Sequence, residues 1–162
     1  MMISKNSDTA KPYTLCSLLF NTTKKDYNTN LQTLLSLIDL TKEKSLIVAP
    51  EVCLTSYDYD NFDKVLDFAF VANEALKKAS QNKIIITTII EKEGNKVYNF
   101  AKIFHNGEVV YKRAKARLFR FGDEHKYMAE GSDEDLKIVE VDGIKIGILI
   151  CLSFVLKICG KS

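Results

Sequence analysis

The sequence predicts an α/β fold in which helices cover a largely buried sheet. Three features carry that prediction. Apolar residues recur at helical spacing in DYNTNLQTLLSLIDL and again between Asn61 and Asn82. The runs SLIVA and KIIITTII are apolar on both faces, the pattern of strands covered on both sides. Turn-forming pairs, Asn106-Gly107 and Asp142-Gly143, divide the remaining β-rich stretches.

The elements follow in order. Residues 1–12 read as a loose polar leader, without the apolar core of a signal peptide. Thr14 to Phe20 is a short apolar strand. Leu31, Leu34, Leu35 and Ile38 line one face of the first helix. Ser45 to Ala49 is a buried strand that Pro50 ends, because proline lacks the N–H a ladder needs. The second helix presents Val65, Leu66, Phe68, Ala69, Ala72 and Leu76. Lys83 to Ile90 is a strand, and Gly94-Asn95 turns the chain. Lys96 to Phe104 and Glu108 to Tyr111 pair around Asn106-Gly107, both tolerant of positive φ. Leu136 to Val141 and Ile144 to Ile150 form a last pair. Between these hairpins lies a polar stretch, Lys112 to Glu134, long enough to carry function. Helices supply one cover for the sheet; a second sheet or further chain must supply the other.

Composition narrows the classes. The chain has 162 residues, 46% hydrophobic and 27% charged, which suits one globular domain or a large piece of one. A net charge of +2 with interspersed signs gives no field for nucleic acid or membrane surface. The densest basic run, Lys112, Arg113, Lys115, Arg117 and Arg120, reads as a solvated loop, and no aromatic ladder accompanies it. No apolar run reaches membrane-spanning length, so a cytoplasmic location is expected. The four cysteines lack metal or redox spacing and are expected to be thiols. Cys16, Cys53 and Cys159 read as fillers or bystanders. His125 reads as a surface residue, since no partner ligands are spaced for a metal.

Three residues stand apart. Cys151 follows the apolar run KIGILI; alone it is a core thiol or a nucleophile aimed by a rigid element. Glu51 follows SLIVAP, where a carboxylate is not needed for folding and can act as a general base. Lys115, a solvated charge in isolation, becomes with the other two a candidate electrostatic clamp.

The segments around them resemble the motifs of the carbon–nitrogen hydrolases of the nitrilase superfamily, in the family's order. APEVCLTSYDYDNF resembles its glutamate motif, YKRAKARLFRFGDEHKY its lysine motif and GIKIGILIC the strand bearing its cysteine. The likeness covers nearly all of the chain up to Cys151. Arg117 stands where the family usually has histidine, and Ser56 where it commonly has glycine. The resemblance implies the first half of an α/β/β/α sandwich, spanning residues 13–151. It implies that Glu51 takes the Cys151 proton, that the sulfur attacks an amide-type carbon, and that Lys115 faces the developing oxyanion. Ammonia or an amine leaves a thioester, which water activated by Glu51 then hydrolyses. Glu124 aligns with a second glutamate that positions the substrate or Lys115, and Tyr57 with the tyrosine of the glutamate motif. The implied partner is a small amide-type substrate; no cofactor, metal, nucleic acid or membrane is implied. Homo-oligomers, common in the family, are an expectation for a full-length form.

After Cys151 the family expects an aromatic residue, an acid and an arginine–phenylalanine pair, whereas residues 152–162 read LSFVLKICGKS. With synonymous codons chosen for the tail, one inserted nucleotide restores the expected residues in a shifted frame, so a frameshift is expected, with a divergent tail as the alternative; the gene sequence decides. A chain lacking the second half is expected to expose apolar surface and to show weak or absent activity. An inactive remnant or interaction fragment is therefore the alternative function. A thiol redox protein is disfavoured by the lack of a paired cysteine motif.

Overall fold

The computed structural model describes residues 13–23 and 26–151. The leader, the tail after Cys151 and Cys159 lie outside the described residues.

Among the described residues, five strands form one mixed sheet in chain order: β1 (Thr14–Ser17), β2 (Ser45–Val48), β3 (Ile84–Glu93), β4 (Lys96–His105) and β5 (Glu108–Ala114). β1, β2 and β3 run parallel, whereas β3, β4 and β5 are antiparallel. The parallel pairs are joined by α1 (Tyr27–Asp39) and α2 (Phe62–Ala79), the crossovers that parallel neighbours require. Asp26 caps α1 by accepting from the Thr29 N–H at 3.0 Å. Asn106 and Gly107 both have positive φ, 47° and 88°, in the tight turn between β4 and β5.

Alternation along the strands divides the core. Ile85, Ile89 and Phe104 face Leu34, Ile38, Ala69, Ala72 and Leu76 of the helices. Ile84, Ile86 and Ile103 face the other way. They pack on Val141 and Ile146 of a separate two-stranded sheet, β6 (Val139–Val141) and β7 (Ile144–Ile146). The second cover of the doubly apolar sheet is therefore another sheet. A third cluster, Val52, Val65, Ile90, Leu118 and Met128, joins the segments that bear the candidate site.

Several boundaries differ from expectation. β1 stops at Ser17, because β2 offers partners only through Val48. β3 runs past Ile90 to Glu93: its charged end reads as loop, yet it stays paired with β4 as far as Lys96. The basic run is no solvated loop. Lys112 and Arg113 belong to β5, and Arg113 and Lys115 are both buried. β7 ends at Ile146 and does not reach Ile150. Its partner β6 begins only at Val139, downstream of a 3-10 turn at Asp133–Asp135, so, among the described residues, 147–150 have no ladder.

Phe104 is fully buried between sheet and helices. Phe104→Ala is expected to lower unfolding free energy by about 3–5 kcal/mol, read from the denaturant midpoint at unchanged m-value.

Candidate active site

Glu51 sits in the turn that leaves β2. That turn is held from three sides. The Ala49 N–H bonds to Ile86 O at 2.9 Å, and the Ser56 N–H to Val52 O at 2.8 Å. Asn30 of α1 donates from Nδ2 to Leu54 O at 2.8 Å. Val52 has φ 49°, a strained conformation for a β-branched residue. Its N–H is satisfied by Thr88 Oγ1 at 2.7 Å, which anchors the strained residue to β3.

Lys115 follows β5. Its backbone N–H donates to Asn99 O of β4 at 2.8 Å, and its carbonyl accepts the Gly131 N–H at 2.9 Å. Gly131 passes so close to Ala114 that a Cβ there would lie 2.7 Å from the alanine Cβ and carbonyl oxygen. Only glycine lets that segment close over the lysine without a shift. Glu124 opens the short helix α3 (Glu124–Tyr127), just after Asp123 turns the chain at φ 60°.

The structure brings four of the five sequence-predicted residues together. Lys115 Nζ donates to Glu51 Oε1 and to Glu124 Oε1, each at 2.8 Å. Glu124 Oε2 accepts the Phe119 N–H at 3.0 Å. Tyr57 donates from its hydroxyl to Glu51 Oε1 at 2.7 Å, and its ring centroid lies 5.8 Å from the ammonium. The side chains of Lys115 and Glu124 are 1% and 4% exposed, whereas that of Glu51 is 25% exposed. The cluster is thus closed below and open at the Glu51 carboxylate.

Burial works against the Lys115 charge, but the carboxylates of Glu124 and Glu51 outweigh it and hold the ammonium above the ordinary lysine range. Burial, reinforced by the bond to Glu51, pushes the Tyr57 hydroxyl well above the tyrosine range, so it stays a neutral donor.

Cys151 is not part of this cluster. It is exposed, with φ 41°, and among the described residues no hydrogen bond joins it to Glu51 or Lys115. Its segment is tied to β5 by Arg113, whose Nη1 donates to Ile148 O at 3.0 Å. Cys53, close to Glu51 in sequence, is a different kind of thiol. It is buried against Thr87, and burial pushes it up to about 11. His125 is exposed.

Asn99 was missed by the sequence reading. Fully buried on β4, it donates from Nδ2 to Glu51 Oε1 at 2.9 Å. The signal was a lone amide inside the apolar strand VYNFAKIF. Three donors, from Tyr57, Asn99 and Lys115, therefore converge on Oε1, and among the described residues none reaches Oε2.

Lys115→Met leaves two carboxylates facing each other without their cation. Because Glu51 is partly hydrated, a stability loss of about 3 kcal/mol is expected, the lower end for a broken buried pair. The native pKa of Lys115 is raised, so its contribution is complete below the ordinary lysine value of about 10.4. It is lost only as pH rises through the native value. Denaturation of both proteins should give a constant gap from about pH 7 to about pH 10, narrowing above. A gap that closes by about pH 9 contradicts this account.

Comparison with known proteins bears on this arrangement. The carbon-nitrogen hydrolase family model matches residues 15–153. A 2-oxoglutaramate amidase of Bacillus subtilis (strain 168) is 32% identical over 115 residues, covering 68% of this chain and 44% of the relative. A CN-hydrolase superfamily protein of Xanthomonas campestris, solved with an arsenic adduct in its active site, superposes with a TM-score of 0.69 at 22% identity. That match covers 85% of this chain and 51% of the other. An amidase from Nesterenkonia sp. AN1, solved after Michael addition of acrylamide at its active-site cysteine, gives a TM-score of 0.71 at 15% identity, covering 83% and 56%. The chain thus spans about half the length of these relatives. With nearly the whole described chain inside the matched region, and a fold shared with nitrilase-superfamily structures, this protein belongs to the carbon-nitrogen hydrolase family.

Proposed function

We propose that the chain bears the chemical groups of an amide hydrolase that works through a cysteine thioester, with Cys151 as nucleophile, Glu51 as general base and Lys115 as oxyanion clamp. The observation that carries this reading is the buried Lys115 ammonium, 2.8 Å from both Glu51 and Glu124. A cation so placed is pre-oriented and cannot be neutralised at working pH, which suits it to a developing oxyanion.

Glu51 offers Oε2, the oxygen without a donor, to the Cys151 thiol and takes its proton. The sulfur forms a bond to the amide carbon, and the carbonyl electron pair moves onto oxygen, facing Lys115. Collapse of this adduct breaks the C–N bond. The amine leaves with the proton returned by Glu51, and a thioester remains. Water then gives a proton to the same carboxylate and attacks the thioester, releasing the acid and restoring the thiol. Glu124 fixes Lys115 from the side opposite Glu51, while Tyr57 holds the base oxygen that does not react.

The likeness to the 2-oxoglutaramate amidase supports a small carboxamide as substrate, and an ω-amide of a short acid is the first candidate. Carbamoyl compounds and simple aliphatic amides belong to the same reaction class.

A second reading is a catalytically inactive fragment. It is favoured by the exposure of Cys151 and its lack of a hydrogen bond to Glu51 or Lys115 among the described residues. Turnover by this chain alone is accordingly expected to be weak.

The two readings separate in one experiment. The purified 162-residue protein is offered 2-oxoglutaramate and propionamide, and ammonia release is followed. Weak turnover that disappears in Cys151→Ala and falls about 10²–10⁴-fold in Glu51→Gln supports the hydrolase. Acrylamide should then modify Cys151 faster than a free thiol and leave Cys53 untouched. No turnover, with Cys151 reacting like any exposed thiol, supports the inactive fragment.

A further inference from the structure

Asn99 is buried without exposure, yet only half of its carboxamide is used. Nδ2 donates to Glu51 Oε1 at 2.9 Å and lies 3.4 Å from the Tyr57 hydroxyl, while Oδ1 has no partner among the described residues. The orientation is not arbitrary. A carboxylate only accepts, so the amide must turn its nitrogen to Glu51 and leave its oxygen unsatisfied. A buried acceptor left open opposes folding, and a native chain that keeps one is a sign of function at that position. The backbone of the same residue accepts the Lys115 N–H at 2.8 Å. Asn99 thus touches the Glu51 carboxylate with its side chain and the Lys115 backbone with its carbonyl, joining segments that lie far apart in the chain.

We propose that Asn99 is a positioning residue that fixes Glu51 by its Oε1 oxygen, so that Oε2 alone is presented as the base. The other donors to Oε1 cannot do this as firmly. Lys115 divides its ammonium between Glu51 and Glu124, and the Tyr57 hydroxyl can rotate about its C–O bond. The amide is planar, neutral and held by a strand. The proposal rests on the hydrolase reading for its consequence, but its contact stands apart from that reading.

The test has two arms, both on the whole chain. In the first, the side-chain amide resonances of Asn99 are followed by ¹⁵N NMR, assigned by their absence in Asn99→Leu. They are expected to move in Glu51→Gln, whose amide can no longer act as a charged acceptor. Resonances that stay in place overturn the contact and with it the proposal, whether or not the protein turns over.

In the second arm, ammonia release is measured for Asn99→Leu and Asn99→Gln beside the parent. The leucine variant removes an unsatisfied acceptor but also a donor to the Glu51 carboxylate, so a modest loss of stability is expected and its denaturant midpoint is measured alongside. Its kcat should fall about tenfold or more with KM within about twofold, as expected for an interaction that matters in the transition state. Asn99→Gln, which keeps the donor on a longer arm, should recover part of kcat. A leucine variant whose kcat is unchanged, or a glutamine variant that recovers none of the lost kcat, would assign Asn99 a purely structural role and overturn the proposal. If the parent releases no ammonia, the hydrolase reading fails, and the resonance arm alone decides for or against Asn99.

Discussion

The arrangement depends on one buried cation. Lys115 carries its charge into a region where only 1% of its side chain meets solvent, and it is tolerable there because two carboxylates meet it at 2.8 Å. Glu51 and Glu124 in turn could not face each other without it. Three segments are therefore locked by charge: the residue after β5 and the start of α3, nine positions on, and the turn after β2, 64 positions before. Around them the tolerances are small. Gly131 closes over Ala114 with no room for a side chain, and Val52 keeps a strained φ because Thr88 satisfies its amide.

The sheet explains why such a cluster can be built. β2 and β4 are rigid, and both deliver a polar residue to the same place, Glu51 just beyond the end of one and Asn99 within the other. The helices anchor the opposite side of the same strands through Leu34, Ile38, Ala72 and Leu76. The charged residues thus lie on a frame held by apolar packing, which orients their hydrogen bonds. By contrast, the Cys151 segment leaves its short ladder at Ile146 and is held through Arg113 and the burial of Ile150. The parts proposed to activate the nucleophile are fixed more firmly than the nucleophile.

Much of this was legible in the chain. The helical recurrence of apolar residues (leucine and isoleucine in the first helix, mainly valine, phenylalanine, alanine and leucine in the second) specified both helices, and Asn-Gly specified the β4–β5 turn, because both signals are local. The motif residues Glu51, Tyr57, Lys115 and Glu124 were singled out by the resemblance of their segments to family motifs, and folding brings the four side chains together. Where β3 ended and where β7 stopped were not legible. A strand lasts as long as its neighbour offers partners, and that neighbour's register is not written in the strand itself.

By itself, then, the sequence determined the α/β class, the order of elements, the doubly apolar sheet and the family to which the chain belongs. Only the tertiary structure decided that Lys115 is buried between two carboxylates rather than solvated in a basic loop. Only it revealed that Asn99 shares the Glu51 carboxylate and that three donors crowd one of its oxygens. It also placed Cys151 outside the cluster. The physical reason is the same each time: burial and hydrogen bonding are properties of pairs, and these pairs lie up to 64 positions apart in the chain. No window of sequence contains them until folding has brought the strands side by side.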